Sequence, residues 1–162
     1  MSSMKRNHLP LYGVGPIYYL IIIFFTILFI VLTRNGFFSD YFYNNILLYI
    51  LGFILIFVGI YLYFASVFSS KLFQNVKCNN LVITGIYSYV RNPIYSCFLF
   101  ICSGVLLING NVCFFVLPVI YWLFLTVLMK NTEEKWLLEK YGEEYEVYCR
   151  SVNRCIPWFR KK

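Results

Sequence analysis

Charge is scarce in this 162-residue chain: 13% of the residues are Asp, Glu, Lys or Arg, against 60% hydrophobic and 22% aromatic. A soluble domain keeps about a quarter of its residues charged, so an ordinary water-soluble fold is excluded and an integral membrane protein is implied. Histidine is nearly missing too, since His8 in the polar opening segment Met1 to Pro10 is the single copy. It reads as an interfacial residue rather than a base. The six cysteines, Cys78, Cys97, Cys102, Cys113, Cys149 and Cys155, include no Cys-x-x-Cys pair. Neither a zinc site nor a disulfide framework follows from them. The chain also lacks an internal repeat of about 20 to 50 residues, a low-complexity linker and a Gly-rich nucleotide fingerprint after a strand. No basic module of a nucleic-acid-binding kind is present. A single membrane domain over 1–162 is expected, with no metal and no nucleic-acid partner.

What fills the chain instead is four apolar stretches: Ile17 to Leu32, Ile46 to Phe68, Pro93 to Ile108 and Val112 to Met129. A span needs about 20 residues at about 1.5 Å each. The second suffices as it stands, and the others must recruit neighbours such as Gly15, Val90 or Lys130. Asn109-Gly110-Asn111 joins the last two as a turn signal, short enough only for an antiparallel hairpin. Arg34-Asn35-Gly36-Phe37-Phe38 offers no small-residue cleavage site, so the first stretch reads as a span and not a leader. The architecture expected is therefore an all-α membrane bundle of about four spans. If the stretches alternate, Lys5, Arg6, Lys71, Lys77, Arg91 and the basic residues from Lys130 to Lys162 share one side, with Arg34 alone opposite, out of 14 Lys and Arg and a net charge of +7. The positive-inside rule places that side, and both termini, in the cytoplasm.

Gly52 and Gly59, seven positions apart in the second stretch, share a helical face that suits close helix approach in lipid. Gly13-Val14-Gly15-Pro16 reads as a flexible lead into the first helix, with no strand before it to make it a phosphate loop. Between Ser69 and Val90 the composition turns polar, and Thr84-Gly85 precedes Arg91-Asn92-Pro93. Pro93 suits a first helical position and pushes Asn92 out of the α region. Irregular backbone at that depth is tolerated where it is buried in protein or lines a wet cavity. Glu133 to Arg150 reads as an amphipathic helix broken near Gly142, with Trp136, Leu137 and Tyr141 on one apolar patch and Tyr141, Tyr145 and Tyr148 as a packing stripe. Arg150, Arg154, Trp158, Phe159, Arg160, Lys161 and Lys162 form an expected headgroup-contacting tail.

Five short motifs occur in order: Gly85-Ile86-Tyr87, Arg91-Asn92-Pro93-Ile94-Tyr95, Glu133-Glu134, Tyr141-Gly142-Glu143-Glu144-Tyr145 and Ile156-Pro157. Together, over about Gln74 to Pro157, they resemble the signature of the membrane-embedded isoprenylcysteine carboxyl methyltransferases and the related bacterial phospholipid methyltransferases. The resemblance implies a cytoplasmic site for S-adenosyl-L-methionine and a lipid-linked or amphiphilic methyl acceptor. That cofactor demands a carboxylate for its ammonium, donors for its carboxylate and a partly apolar adenine pocket. Glu133 can meet the ammonium; backbone amides and Asn80 or Asn92 can donate; Leu81, Val82, Tyr87, Pro93 and Tyr95 can wall the pocket. By resemblance these are cofactor-contacting positions, and Gln74 is another. Arg91 and Glu134 are the candidate catalytic residues, with Arg91 expected to support Glu133 or Glu134 from the edge of the preceding hairpin.

An ionised carboxyl acceptor needs no general base near neutral pH, whereas an amine must shed a proton. The poverty in bases favours carboxyl O-methylation, with phospholipid N-methylation as the alternative. The chain departs from the pattern at three places: Asn92 stands where His is common, Cys97 where a small Gly is usual, and Met129 and Lys130 where eukaryotic members carry an arginine. Membrane sterol reductases, which use a nicotinamide cofactor, have a similar C-terminal half. A small non-enzymatic membrane subunit would explain the apolar composition but not the polar block.

Overall fold

The computed structural model describes residues 13–37, 45–69, 80–111 and 115–159. Among these residues six α-helices follow one another: α1 Gly15–Arg34, α2 Ile46–Phe64, α3 Pro93–Asn109, α4 Val116–Asn131, α5 Glu133–Tyr141 and α6 Glu143–Ser151. A π-helical turn, Ala65–Ser69, prolongs α2, and a 3-10 turn, Gly85–Ser88, precedes α3. No strand forms among the described residues, as the all-α expectation required; an isolated parallel bridge joins Val90 to Asn153.

Local chemistry sets the helix ends. Asn45, in extended backbone, accepts from the Leu47 amide at 2.8 Å and caps α2. Pro93 opens α3, where its missing N–H costs nothing. Gly110, at φ 74°, closes α3 in the left-handed conformation that a side chain would resist. Gly142 breaks the amphipathic segment into α5 and α6, as its position suggested.

Each apolar stretch contributes a helix, but two of these have the length and hydropathy to cross a bilayer: α1, with 20 residues, and Ile46–Phe68, the 23 residues of α2 and most of its π turn. α3 and α4 have 17 and 16 residues, short of the about 20 that a straight span takes. The expected extension of α3 to Val90 does not occur, because Pro93 fixes the helix start and Val90 is paired in a bridge with Asn153, closed by the Arg91 amide. α4 does take in Lys130, and α1 does take in Gly15. The outward faces of α1 and α2 expose Leu20, Phe24, Ile27, Phe53, Phe57 and Tyr61, a surface that suits hydrocarbon and not water.

α3 lies at the centre, packed on α2, α1 and α4. Its contact with α2 is made backbone to backbone. A Cβ added to Gly52 would sit 2.7 Å from the Gly104 carbonyl oxygen, and one on Gly59 would sit 2.8 Å from that of Cys97. The glycine face expected from the sequence is thus the α2–α3 seam, and at Gly59 the Ile101 side chain and the Cys97 carbonyl take up the room. Tyr18 of α1 packs its ring against Tyr95 of α3 and Phe124 of α4, at 5.9 and 5.8 Å between centroids, and the Thr26 and Tyr121 hydroxyls meet at 3.1 Å.

At one end of the bundle the chain after α6 runs beside residues 89–92. The Arg91 amide donates to the Asn153 carbonyl at 2.8 Å, the Asn92 amide to that of Arg154 at 3.2 Å, and the Trp158 amide to that of Tyr89 at 3.2 Å. Tyr145, Tyr148 and Val152 pack with Leu81, Leu137 and Tyr141, which realises the expected aromatic packing stripe. The Tyr148 hydroxyl donates to the Tyr87 carbonyl at 2.6 Å.

Candidate active site

Glu133 opens α5 directly after Thr132, whose backbone leaves the helical region and ends α4. Its Oε1 accepts the Val14 amide at 2.7 Å and the Tyr95 hydroxyl. The starts of α1, α3 and α5 therefore meet on one oxygen. Val14 precedes the first turn of α1, where amides have no helical partner and the helix dipole is positive, so a carboxylate is the natural guest. Gly13 takes φ 53°, and a Cβ there would run into the Glu133 carboxylate. The segment expected to be a flexible lead is instead a fitted turn that requires glycine twice over, for its backbone and for its space. No described residue donates to Oε2. Burial pushes the Glu133 carboxyl above the usual carboxylate range, although the Tyr95 and Val14 bonds pull the other way. The Tyr87 hydroxyl belongs to the same locale: burial foremost, then the charges of Tyr148 and Glu133, hold it protonated.

The adjacent carboxylate has other partners. Arg154 grips Glu134 with both arms of its guanidinium, Nε to Oε1 at 2.6 Å and Nη2 to Oε2 at 3.0 Å. Arg91 adds Nη2 to Oε1 at 3.2 Å, and the three side chains Arg91, Glu134 and Arg154 are 7%, 14% and 26% exposed. Arg91 also donates Nη1 to the Cys149 sulfur, and its buried Nε has no partner among the described residues. Burial, then the neighbouring Cys149 and Glu134, raises the Tyr145 hydroxyl, while Arg91 opposes them. The expected support by Arg91 goes to Glu134 and not to Glu133. Two guanidiniums on one carboxylate leave the group with an excess positive charge.

The remaining candidates divide by position. Asn92 is buried at the start of α3 and donates one Nδ2 hydrogen to the Arg154 carbonyl at 3.1 Å. Pro93 is fully buried beside it. Leu81 lies in the Tyr145 and Tyr148 cluster, Val82 is half-buried and Asn80 is exposed. Gln74 lies outside the described residues. The structure thus brings Tyr95 to Glu133 and Arg91 to Glu134, ties Tyr87 through its carbonyl to the Tyr148 hydroxyl, and uses Asn92 and Pro93 to hold the start of α3 beside them. Sequence reasoning missed Gly13, Val14, Cys149 and Arg154 as parts of this group. Two glycines flanking Val14 before a helix were the available sign for the first pair. Arg154, read as a headgroup-contacting cation, stands two residues before the Ile156-Pro157 motif, and its side chain turns inward.

These groups fit a cationic amino-acid cofactor. Glu133 Oε2 is an acceptor with no described donor, set in a low-dielectric neighbourhood that strengthens a bond to an ammonium, and the buried unpartnered Nε of Arg91 is a donor for an anion. An open surface groove lined by Ile83, Glu143, Glu144, Val147 and Tyr148 lies on α6, and neither Glu133 nor Arg91 lines it.

Residues 47–144 match the family model described as phospholipid methyltransferase. Over 82 residues the chain is 35% identical to the protein-S-isoprenylcysteine O-methyltransferase of Schizosaccharomyces pombe, an alignment covering 50% of this chain and 34% of the relative. The matched region thus spans about a third of that relative's length. No solved structure matches the chain. The family match takes in the Arg91-Asn92-Pro93 turn and the Glu133-Glu134 pair whose contacts build this site, and the chain belongs to the phospholipid methyltransferase family.

Proposed function

We propose that this chain transfers a methyl group from S-adenosyl-L-methionine to the carboxyl group of a lipid-linked or amphiphilic acceptor at the cytoplasmic face of a membrane. The observation that carries the reading is the Glu133 carboxylate, held by α1 and α3 through one oxygen while the other has no described donor. When bound, the cofactor supplies an electrophilic methyl group on a sulfonium. The rest falls to the chain. Glu133 takes the ammonium, Val14 and Tyr95 hold Glu133, and Tyr87, Leu81 and Val82 supply apolar walls. The excess positive charge on Arg91, Glu134 and Arg154 favours an anionic acceptor group nearby. Methyl transfer is an in-line displacement, so its rate depends chiefly on how the acceptor is aligned. An ionised carboxyl acceptor requires no proton removed.

Phospholipid N-methylation is the second reading, favoured by the description of the matched family and by the raised Glu133 carboxyl, a better proton acceptor than an ordinary carboxylate. Family membership speaks against the reductase and the non-enzymatic subunit. The bundle is read as multi-pass, with α3 and α4 completing four spans and both termini cytoplasmic, because 13 of the 14 Lys and Arg then share one side.

Binding of S-adenosyl-L-methionine and of NADPH to purified protein, followed by single-turnover transfer of labelled methyl to prenylcysteine and to phosphatidylethanolamine, tests the assignment. The expected result is binding of the first cofactor and transfer to prenylcysteine. Binding of NADPH alone would overturn the methyltransferase reading, and transfer to the amine alone would replace the carboxyl reading by the second one.

A further inference from the structure

We infer that Arg154 is a positioning residue for methyl transfer, acting through Glu134 to fix where Glu133 stands. The inference deepens the proposed reading and rests on it. One residue does two jobs here. Through its backbone carbonyl, Arg154 receives the Asn92 amide at 3.2 Å and the Asn92 Nδ2 at 3.1 Å, which ties it to the start of α3. The next carbonyl, that of Cys155, receives the Ser96 hydroxyl at 2.5 Å, a second tie to the same helix. Through its side chain, Arg154 closes a two-pronged ion pair on Glu134 at the start of α5, at 2.6 and 3.0 Å.

The residue next to Glu134 is Glu133. α5 is nine residues long and contributes no fully buried side chain, so its orientation depends on these terminal contacts more than on packing. An exposed ion pair would do little, but this one is bidentate, mostly enclosed, and buttressed by Arg91, which meets the same Oε1. Bonding to Glu134 keeps the Arg154 guanidinium charged. Releasing it would leave Glu134 with Arg91 as its one cationic partner and let α5 turn, carrying Glu133 away from Tyr95 and the Val14 amide. A displacement of about 1 Å at such a site costs on the order of a hundredfold in rate.

The test uses the full chain in lipid nanodiscs, with Arg154→Ala and Arg154→Lys beside the wild type. Single-turnover methyl transfer at saturating cofactor is read together with calorimetric binding of S-adenosylhomocysteine, each with and without millimolar guanidinium. Arg154→Ala should slow transfer by about tenfold to a hundredfold, and added guanidinium, a fork of the same shape, should recover much of the loss. Arg154→Lys, which keeps the charge but not the fork, should remain several-fold slow. A wild-type rate in either variant overturns the inference, and so does a loss in a helical, monodisperse Arg154→Ala that guanidinium leaves in place. If Arg154→Ala does not fold, the rate of Arg154→Lys decides. A wild-type chain that neither binds nor transfers overturns the methyltransferase reading, and this inference with it.

Discussion

Glu133 and Glu134 are neighbours in the chain and share no partner: Glu133 is held by Tyr95 and the Val14 amide, Glu134 by Arg91 and Arg154. Consecutive helical positions do not face the same way, so a pair of acids at the first turn of α5 can serve two structures at once. One carboxylate ties three helix starts together and keeps an oxygen without a described donor; the other is saturated by two cations. This division makes Glu133 the group to test for binding and Glu134 the group to test for alignment.

Replacing Glu133 by Gln keeps an oxygen for the Val14 amide and the Tyr95 hydroxyl and removes the charge. Affinity for S-adenosyl-L-methionine should fall by about 1.5 to 3 kcal/mol, the scale of a charged hydrogen bond, in a protein that remains folded. Calorimetry on the two proteins in the same detergent measures it. Equal affinity would remove Glu133 from the cofactor site.

Much of this arrangement was legible in the sequence, and the parts that were not have physical reasons. The hydrophobic stretches gave four helices, Pro93 and Gly142 gave two boundaries, and the glycine spacing of Gly52 and Gly59 gave the α2–α3 seam. Motif order brought Arg91 to the acidic pair, although one dimension could not say which acid it would meet. The Val14 amide was invisible because a backbone donor carries no side-chain signature. Arg154 was misread because a cation in a basic tail looks the same whether it faces lipid headgroups or turns inward; the pairing of Asn153 and Arg154 with residues 91–92 decides that.

Gly13 and Gly36 separate two costs of adding a methyl group. Both have positive φ, 53° and 90°, but a Cβ at Gly36 meets nothing within 4 Å, whereas at Gly13 it meets the Glu133 carboxylate and, at 3.1 Å, the Tyr95 hydroxyl. Gly36→Ala should lose about 1 to 2 kcal/mol of stability through backbone strain alone and keep its cofactor affinity. Gly13→Ala should lose stability and affinity together, because the carboxylate must move. Thermal unfolding and cofactor titration of both variants check this; unchanged affinity in Gly13→Ala would show that the turn does not hold Glu133 for binding.

The proposed topology makes a labelling prediction. With the basic residues cytoplasmic, the Asn109-Gly110-Asn111 turn faces outward and Asn79 faces inward. In a thiol-depleted background, Asn109→Cys should react with an impermeant maleimide on intact cells, and Asn79→Cys should react only after the membrane is opened. The opposite pattern would invert the orientation and place the Glu133 site away from the cytoplasmic cofactor pool.

The raised Glu133 carboxyl fixes the sign of two pH effects. In the free protein the folded state holds its proton to a higher pH than the unfolded chain does, so this group's contribution to stability is complete below the unfolded value and is lost as pH rises through the folded one. Glu133→Gln, a fixed neutral side chain, should therefore gain on the wild type as pH rises, with the unfolding midpoints of the two proteins converging toward acid. Cofactor binding runs the other way, because the ammonium needs the ionised carboxylate. Wild-type affinity should begin to fall, with decreasing pH, above the ordinary carboxylate range near 4.5, while that of Glu133→Gln stays flat. Unfolding midpoints and calorimetric titrations across a pH series, read as wild type minus variant, cancel the contributions of the other acids. Parallel curves in the two proteins would mean that Glu133 neither changes ionisation on folding nor meets the ammonium.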